Sequence, residues 1–155
     1  MVMRSQDRVR KAAEEAGLDI SVVEMPQSTR TAEEAAAACG CQVGQIVKSL
    51  IFRRADNNRP VLLLVSGANR VDVDKVAAIV GTALKRADAG YVRAETGFAI
   101  GGVAPIGATA PLATYMDEDL LAFETIWAAA GKSNAVFRTQ PRPLAEAAGA
   151  QIISV

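Results

Sequence analysis

The sequence predicts a mixed α/β fold of the α+β type, with one central sheet of six or seven strands and helices around it. Two observations carry this. Short apolar, β-branched runs recur along the chain. Between them lie helical stretches with capping residues at their starts and glycine at their ends. With 155 residues, half of them apolar, residues 1–155 form one domain with one sizeable core. That core is aliphatic, because aromatic residues make up only 5% of the sequence.

Val9, Ala12, Ala13 and Ala16 recur at helical spacing over residues 5–16, and Gly17 stops that helix. Residues 20–25 read as a short strand closed by Pro26. Thr31 and Glu34 have the spacing of a capping box, so a helix follows through the alanine run and ends near Gly40. Residues 44–48 form a short helical turn or the start of a strand. Residues 46–52 and 60–66 are strands, joined as a hairpin through a polar segment. Asp72 or Asp74 caps a helix through Val80, and Asp88 caps another through Glu95 with Gly97 at its end. A glycine and proline loop then leads to a strand at 112–116. Asp117, Glu118 and Asp119 form a turn, and strands follow at 125–129 and 135–138. A last helix starts near Pro141 or Pro143, ends at Gly149 and leads into a strand at 151–155.

Composition narrows the chemistry. Lys plus Arg and Asp plus Glu number 17 each, so the net charge is zero. Any contact with nucleic acid therefore has to come from a local basic patch. The absence of His excludes Ser-His-Asp and Cys-His catalysis, two-His zinc sites and His general bases. Cys39 and Cys41 are one residue apart, a strained spacing for a disulfide, and two thiols do not complete a zinc site. Free thiols point to a reducing, cytoplasmic compartment. The N-terminal stretch is too charged for a signal peptide, and no apolar run of about 18 residues is present to span a bilayer.

Three segments are candidates for chemistry. In a strand over 46–52, Lys48 shares a face with Ile46, Leu50 and Phe52, while Val47, Ser49 and Ile51 form the other. Both faces are largely apolar, so Lys48 has a partner or opens into a cleft, or else snorkels to water. Gly101, Gly102, Val103, Ala104 and Pro105 form a loop whose backbone N–H groups can approach an oxygen atom closely; the alternative is a tight connection between packed segments. This loop is not a phosphate-binding Walker A sequence, because no Gly-Lys-Ser/Thr follows. Ser133 and Asn134 sit in a turn-forming segment before a strand. Arg53, Arg54 and Arg59 lie close in sequence to Lys48, as a phosphate-facing patch or as a solvated loop.

Taken in order, TAEEAAAACGCQVGQIVKSLIF, PVLLLVSGANRVDVDKVA, TGFAIGGVAPIG and GKSNAVFRTQPRPL resemble the YbaK/ProX family over nearly the whole chain. These are stand-alone relatives of the editing domain inserted in bacterial prolyl-tRNA synthetases. The Lys after Gln-Ile-Val and the Gly-Gly-Val-x-Pro-x-Gly loop are the most specific parts. The resemblance implies a mixed α/β sheet of about seven strands and a deacylase that strips a wrong amino acid from tRNA without metal or other cofactor. Lys48 matches a lysine that clamps the 3′-terminal adenosine and its phosphate. Ser49 matches a neighbour that helps set specificity. Gly101 and Pro105 match the ends of a Gly-x-x-x-Pro loop, with Gly102, Val103 and Ala104 between them, whose N–H groups hold the ester. Ser133 and Asn134 match a further wall of the amino-acid pocket. The implied partners are the acceptor end of a mischarged tRNA, with tRNA-Pro the default, and prolyl-tRNA synthetase; the chain is expected to be a monomer or a homodimer. Such enzymes work by substrate assistance, so the lack of His is no obstacle. Some relatives carry a His in the final segment, and this chain departs from that pattern. The alternative is a non-catalytic module that binds an aminoacyl or nucleotide end beside a synthetase.

Overall fold

The computed structural model describes residues 4–155. Its centre is β3 (Pro60–Ser66), whose residues Val61, Leu62, Leu63, Leu64 and Val65 are each at most 1% exposed. An unbroken apolar run is what a strand covered on both faces requires. Leu62 and Leu64 join the main core, whereas Val61, Leu63 and Val65 pack with Val76 on the other side.

The helices are α1 (Ser5–Glu15), α2 (Ala32–Cys39), α3 (Val73–Val80), α4 (Ala89–Thr96) and α5 (Pro141–Ala148). The other strands are β1 (Val22–Glu24), β2 (Ile46–Arg54), β4 (Leu84–Arg86), β5 (Ala113–Asp117), β6 (Ile126–Lys132), β7 (Ala135–Thr139) and β8 (Gln151–Ile153). The sheet order is β1-β7-β6-β2-β3-β5-β8, with β4 attached to β2 off this path. The β2–β6, β3–β5 and β5–β8 pairs are parallel and the others antiparallel, so the sheet is mixed as expected. Among the described residues no helix is long and apolar enough to cross a membrane.

Several boundaries differ from the sequence expectation. The first strand shrinks to β1, because only Val22, Val23 and Glu24 find partners on β7. Strand β6 runs on to Lys132 through an irregularity after Ala129, so Ser133 and Asn134 become the tip of a β6–β7 hairpin. Strand β4 has no apolar periodicity in its Leu-Lys-Arg sequence and forms only because the last turn of β2 offers it an edge. The capping aspartates behave as expected. Asp72, not Asp74, accepts from the Lys75 N–H at 3.2 Å, and Asp88 accepts from that of Tyr91 at 2.8 Å. The Thr31 hydroxyl accepts from the Glu34 N–H at 3.1 Å, but Glu34 returns its carboxylate to that hydroxyl rather than to the Thr31 backbone.

Two features set up the functional region. Along one edge, β2 pairs with β6 at Ile46 and Val47 and with β4 at Phe52, Arg53 and Arg54. Residues 48–51 have no strand partner on that side. Opposite the gap, the loop between α4 and β5 is held on either side of its glycine segment by Arg8 of α1. Its guanidinium donates to the carbonyls of Gly97 at 2.8 Å and Gly107 at 3.1 Å, and lies 5.1 Å from the centre of the Phe98 ring. Gly107 (φ +88°) lets α1 close in, since a Cβ there would sit 2.9 Å from the backbone N and Cα of Val9.

Gly107→Ala is expected to lower unfolding free energy by about 2–4 kcal/mol, combining left-handed backbone strain with overlap against α1. Urea denaturation measures this, with a lower midpoint and an unchanged slope.

Candidate functional site

The gap in the β2 edge opens into a cleft of about 340 Å³, within the usual size range of small-molecule sites. Lys48, Ser49, Gly101 and Val103 line it together. Further walls come from Thr29, Arg30 and Thr31 before α2, and from Trp127 on β6. The cleft thus joins the strand, the glycine loop and the start of α2, three segments distant in sequence.

Lys48 lies between the cluster under α2 and the cluster around β3 and α3, with Ile46 packed in the first and Leu50 in the second. It escapes burial cost by donating its ammonium to the backbone carbonyl of Asn69. That carbonyl is held in turn: Asn69 Nδ2 donates to Asp117 Oδ2 at 2.8 Å and to Asp119 Oδ2 at 2.7 Å. Asp117, 1% exposed, also accepts from the backbone N–H of Ser66 at 3.0 Å and of Asp119 at 2.9 Å. A buried carboxylate satisfied by several N–H donors is a rigid anchor. Among the described residues no carboxylate lies within ion-pair distance of Lys48 or Arg30, so both cations remain available to an anion.

Ser49 belongs to the opposite face of β2, toward the main core. Its hydroxyl is buried without a hydrogen-bond partner. An unsatisfied buried hydroxyl costs about 1–3 kcal/mol, so this oxygen is a polar handle maintained against its own desolvation.

The loop residues divide. Gly101 faces the cleft under Arg30: a Cβ there would come within 2.8 Å of Arg30 Nε. Gly102 backs onto β6, where a Cβ would meet the Lys132 backbone at 2.9 Å, and its N–H is already given to the Ala99 carbonyl at 2.8 Å. Val103 lines the cleft. Ala104 is packed in the main core, and Pro105 lines a separate cavity beside Ala12 and Leu62. Ser133 and Asn134 do not line the cleft either. The Ser133 carbonyl accepts from Thr29 N at 2.9 Å and from its hydroxyl at 3.0 Å. Asn134 donates from Nδ2 to the Met25 carbonyl at 3.0 Å and accepts from the Met25 N–H at 2.7 Å. These two residues pin the segment that carries Arg30 to the cleft. Of the three arginines near Lys48 in sequence, Arg54 is paired with Asp56 at 2.8 Å, while Arg53 donates only to neutral oxygens, those of Arg86 and Asn58.

Arg30, Asn69, Asp117 and Trp127 were not singled out from the sequence. Asp117 carried a faint signal, as an acid closing an apolar strand. Arg30 and Asn69 carried none, because their roles depend on which loops meet. The cysteines lie outside the cleft. Burial, with Cys41 nearby, pushes the Cys39 thiol up to about 11, and burial also raises that of Cys41. Neither suits a nucleophile near neutral pH.

Asp117→Ala is expected to cost about 3 kcal/mol in stability by stranding buried donors, read from thermal and urea unfolding. For the cysteines, alkylation by iodoacetamide at pH 8 is expected to be slow and to accelerate only as pH rises toward 11. The folded state favours the neutral thiol. Its stabilising contribution is therefore complete below the ordinary thiol value of 9.0 and is lost as pH rises through about 11.

Comparison with known proteins identifies the fold's relatives. Residues 26–147, which include Arg30, Lys48 and the glycine loop, match the aminoacyl-tRNA editing domain. The crystal structure of "a putative trans-editing enzyme for prolyl tRNA synthetase" superposes with a TM-score of 0.91 and 48% identity, covering 99% of this chain and 98% of that one. YwhH of Bacillus subtilis (strain 168) is 31% identical over 125 residues, 81% of this chain and 79% of its own. The "Putative Cys-tRNA(Pro)/Cys-tRNA(Cys) deacylase EbsC" of Enterococcus faecalis (strain ATCC 700802 / V583) is 26% identical over 128 residues, 81% of this chain and 76% of its own. The domain match over residues 26–147, on a fold shared almost end to end, places the chain in the aminoacyl-tRNA editing domain family, the YbaK family.

Proposed function

We propose that this chain is a trans-editing aminoacyl-tRNA deacylase that hydrolyses the ester of a mischarged tRNA, with tRNA-Pro carrying a small amino acid as the first candidate. The observation that carries this is the convergence of Lys48, Ser49, Gly101 and Val103 on one cleft, where Lys48 and Arg30 form no ion pair with Glu33, the carboxylate that also lines it. An aminoacyl ester is already activated, so such a site needs only to orient it and stabilise developing charge. Water adds to the acyl carbon, the bond from that carbon to the ribose oxygen breaks, and that oxygen takes a proton. The products are a free amino acid and a tRNA with its terminal hydroxyl restored.

Lys48, steadied by a neutral carbonyl, binds the terminal phosphate or adenosine rather than acting as a base. The N–H groups of Gly101 and Val103 have no acceptor among the described residues, which suits them to the ester oxygen; that of Gly102 is committed to Ala99. The Ser49 hydroxyl faces the amino-acid moiety. Ser133 and Asn134 act from behind, through the segment ending at Arg30, and Ala104 and Pro105 stiffen the loop. The enzyme needs no metal in this scheme, because a ribose hydroxyl or the amino acid's own side chain assists the attack. The names of the relatives direct the first choices of cargo: products of prolyl-tRNA synthetase, and cysteine.

A deacylation panel of tRNAs mischarged with cysteine, alanine, serine and threonine tests the proposal. At least one is expected to be cleared, and Lys48→Ala is expected to lower kcat/KM by about 30- to 1,000-fold, the loss of roughly 2–4 kcal/mol of charge stabilisation. A wild-type protein that binds these tRNAs yet leaves every ester intact overturns the hydrolase in favour of a binding module.

A further inference from the structure

The cleft continues past Ser49. A second groove shares Ser49, Leu50, Ile100 and Val103 with it and runs along the unpartnered edge of β2 to Arg86 on β4. From Ser49 to Phe52, the partner of Arg86, is roughly 10 Å at about 3.3 Å per residue. The floor is apolar, and Ile100, at 53% exposed, stands at the junction of the two cavities. A large aliphatic side chain held out at a cleft mouth offers a flat surface for a nucleobase or a sugar.

The far end of the groove is lined by Arg86, and the β2–β4 pair beside it carries two more cations. Arg53 and Lys85 are directly opposed across the β2–β4 pair, and Arg86 is opposed to Phe52 on the alternate face. Like charges in direct cross-strand register destabilise a sheet. No carboxylate among the described residues relieves them by an ion pair. Arg53 is nonetheless fixed in place, its Nε on the Arg86 carbonyl at 2.9 Å and an Nη on Asn58 Oδ1 at 3.1 Å. A cation at the end of an apolar groove, with two further cations unrelieved beside it, suits a polyanion with bases.

We propose that this groove is the track for the unpaired 3′ nucleotides that precede the aminoacylated one, with a base against Ile100, a phosphate at Arg86 where the groove ends, and the next phosphate carried past the edge strand to Lys85, with Arg53 adding to the local field. The assignment rests on the deacylase proposal for the identity of the occupant, and it names the surface that selects RNA over a small ester. It also explains how a chain with no net charge holds a polyanion: the required field is local.

The test uses binding, so it stands apart from turnover. The probe is a fluorescent RNA hairpin with a four-nucleotide unpaired 3′ end, followed by anisotropy between 50 and 200 mM salt, with a blunt hairpin of the same stem for comparison. The double variant Lys85→Glu/Arg86→Glu is expected to weaken the overhanging hairpin at least tenfold at the lower salt. Its log–log salt slope should be shallower by about 1.4, two single-strand phosphate contacts at about 0.7 each. Ile100→Ser is expected to weaken the same probe without changing the slope. A charge-matched control, Arg10→Glu/Arg142→Glu on α1 and α5, is expected to bind as the wild type does. Unfolding midpoints check that each variant is folded. Equal binding of the blunt hairpin, an unchanged slope in the β4 variant, or an equal loss in the control overturns the proposal. Binding of the overhang through β4 with no hydrolysis of any mischarged tRNA overturns the deacylase alone.

Discussion

Strand β2 changes neighbours along one edge, and most of what is distinctive about this molecule depends on that change. At Ile46 and Val47 the edge belongs to β6, and from Phe52 to Arg54 it belongs to β4. A sheet normally avoids leaving strand edge unpaired, because backbone groups removed from water need partners. Here the interruption is kept, and the glycine loop is brought up against it. The unpaired stretch contains both Lys48 and Ser49, so the same interruption that leaves backbone unpaired also sets both residues in the cleft wall.

An interrupted edge is useful only if its surroundings are stiff. Two devices supply this from outside the cleft. Arg8 ties together the two ends of the glycine loop and covers Phe98, so the loop is fixed by a helix remote from it in sequence. Asp117, buried at the end of β5, fixes Asn69, and the Asn69 carbonyl fixes the Lys48 ammonium. Holding Lys48 with a neutral oxygen rather than a carboxylate keeps its charge unspent. Arg53 is treated in the same way at the other end of the gap. The recurring arrangement is a cation positioned by neutral acceptors, which is what recognition of phosphate or of a developing oxyanion requires.

The loop illustrates how a motif divides its labour. Gly101 and Val103 meet the cleft, whereas Gly102 is glycine because its α-carbon lies against the Lys132 backbone. Ala104 and Pro105 face the core and a different cavity. Ser133 and Asn134, at the β6–β7 turn, hold the 25–29 segment rather than the cleft. A residue near a site in a motif need not touch what the site holds.

The sequence by itself determined the mixed sheet, the order and nearly all of its elements, and the two segments that meet in the cleft. Those follow from local rules: a strand buried on both faces reads as an unbroken apolar run, and a side-chain oxygen favours a helix start, as those of Thr31, Asp72 and Asp88 do for α2, α3 and α4. It also made Lys48 conspicuous, because a charge in an apolar strand is a local anomaly. Only the tertiary structure decided what Lys48 bonds to, that Arg30 and Trp127 complete the cleft, that β4 exists, and that Arg86 ends a second groove with Arg53 and Lys85 paired beside it. Each of these is a contact between segments distant in sequence. Local periodicity carries no information about which loops converge, since that is settled by packing around β3 and by the two strands that share one edge of β2.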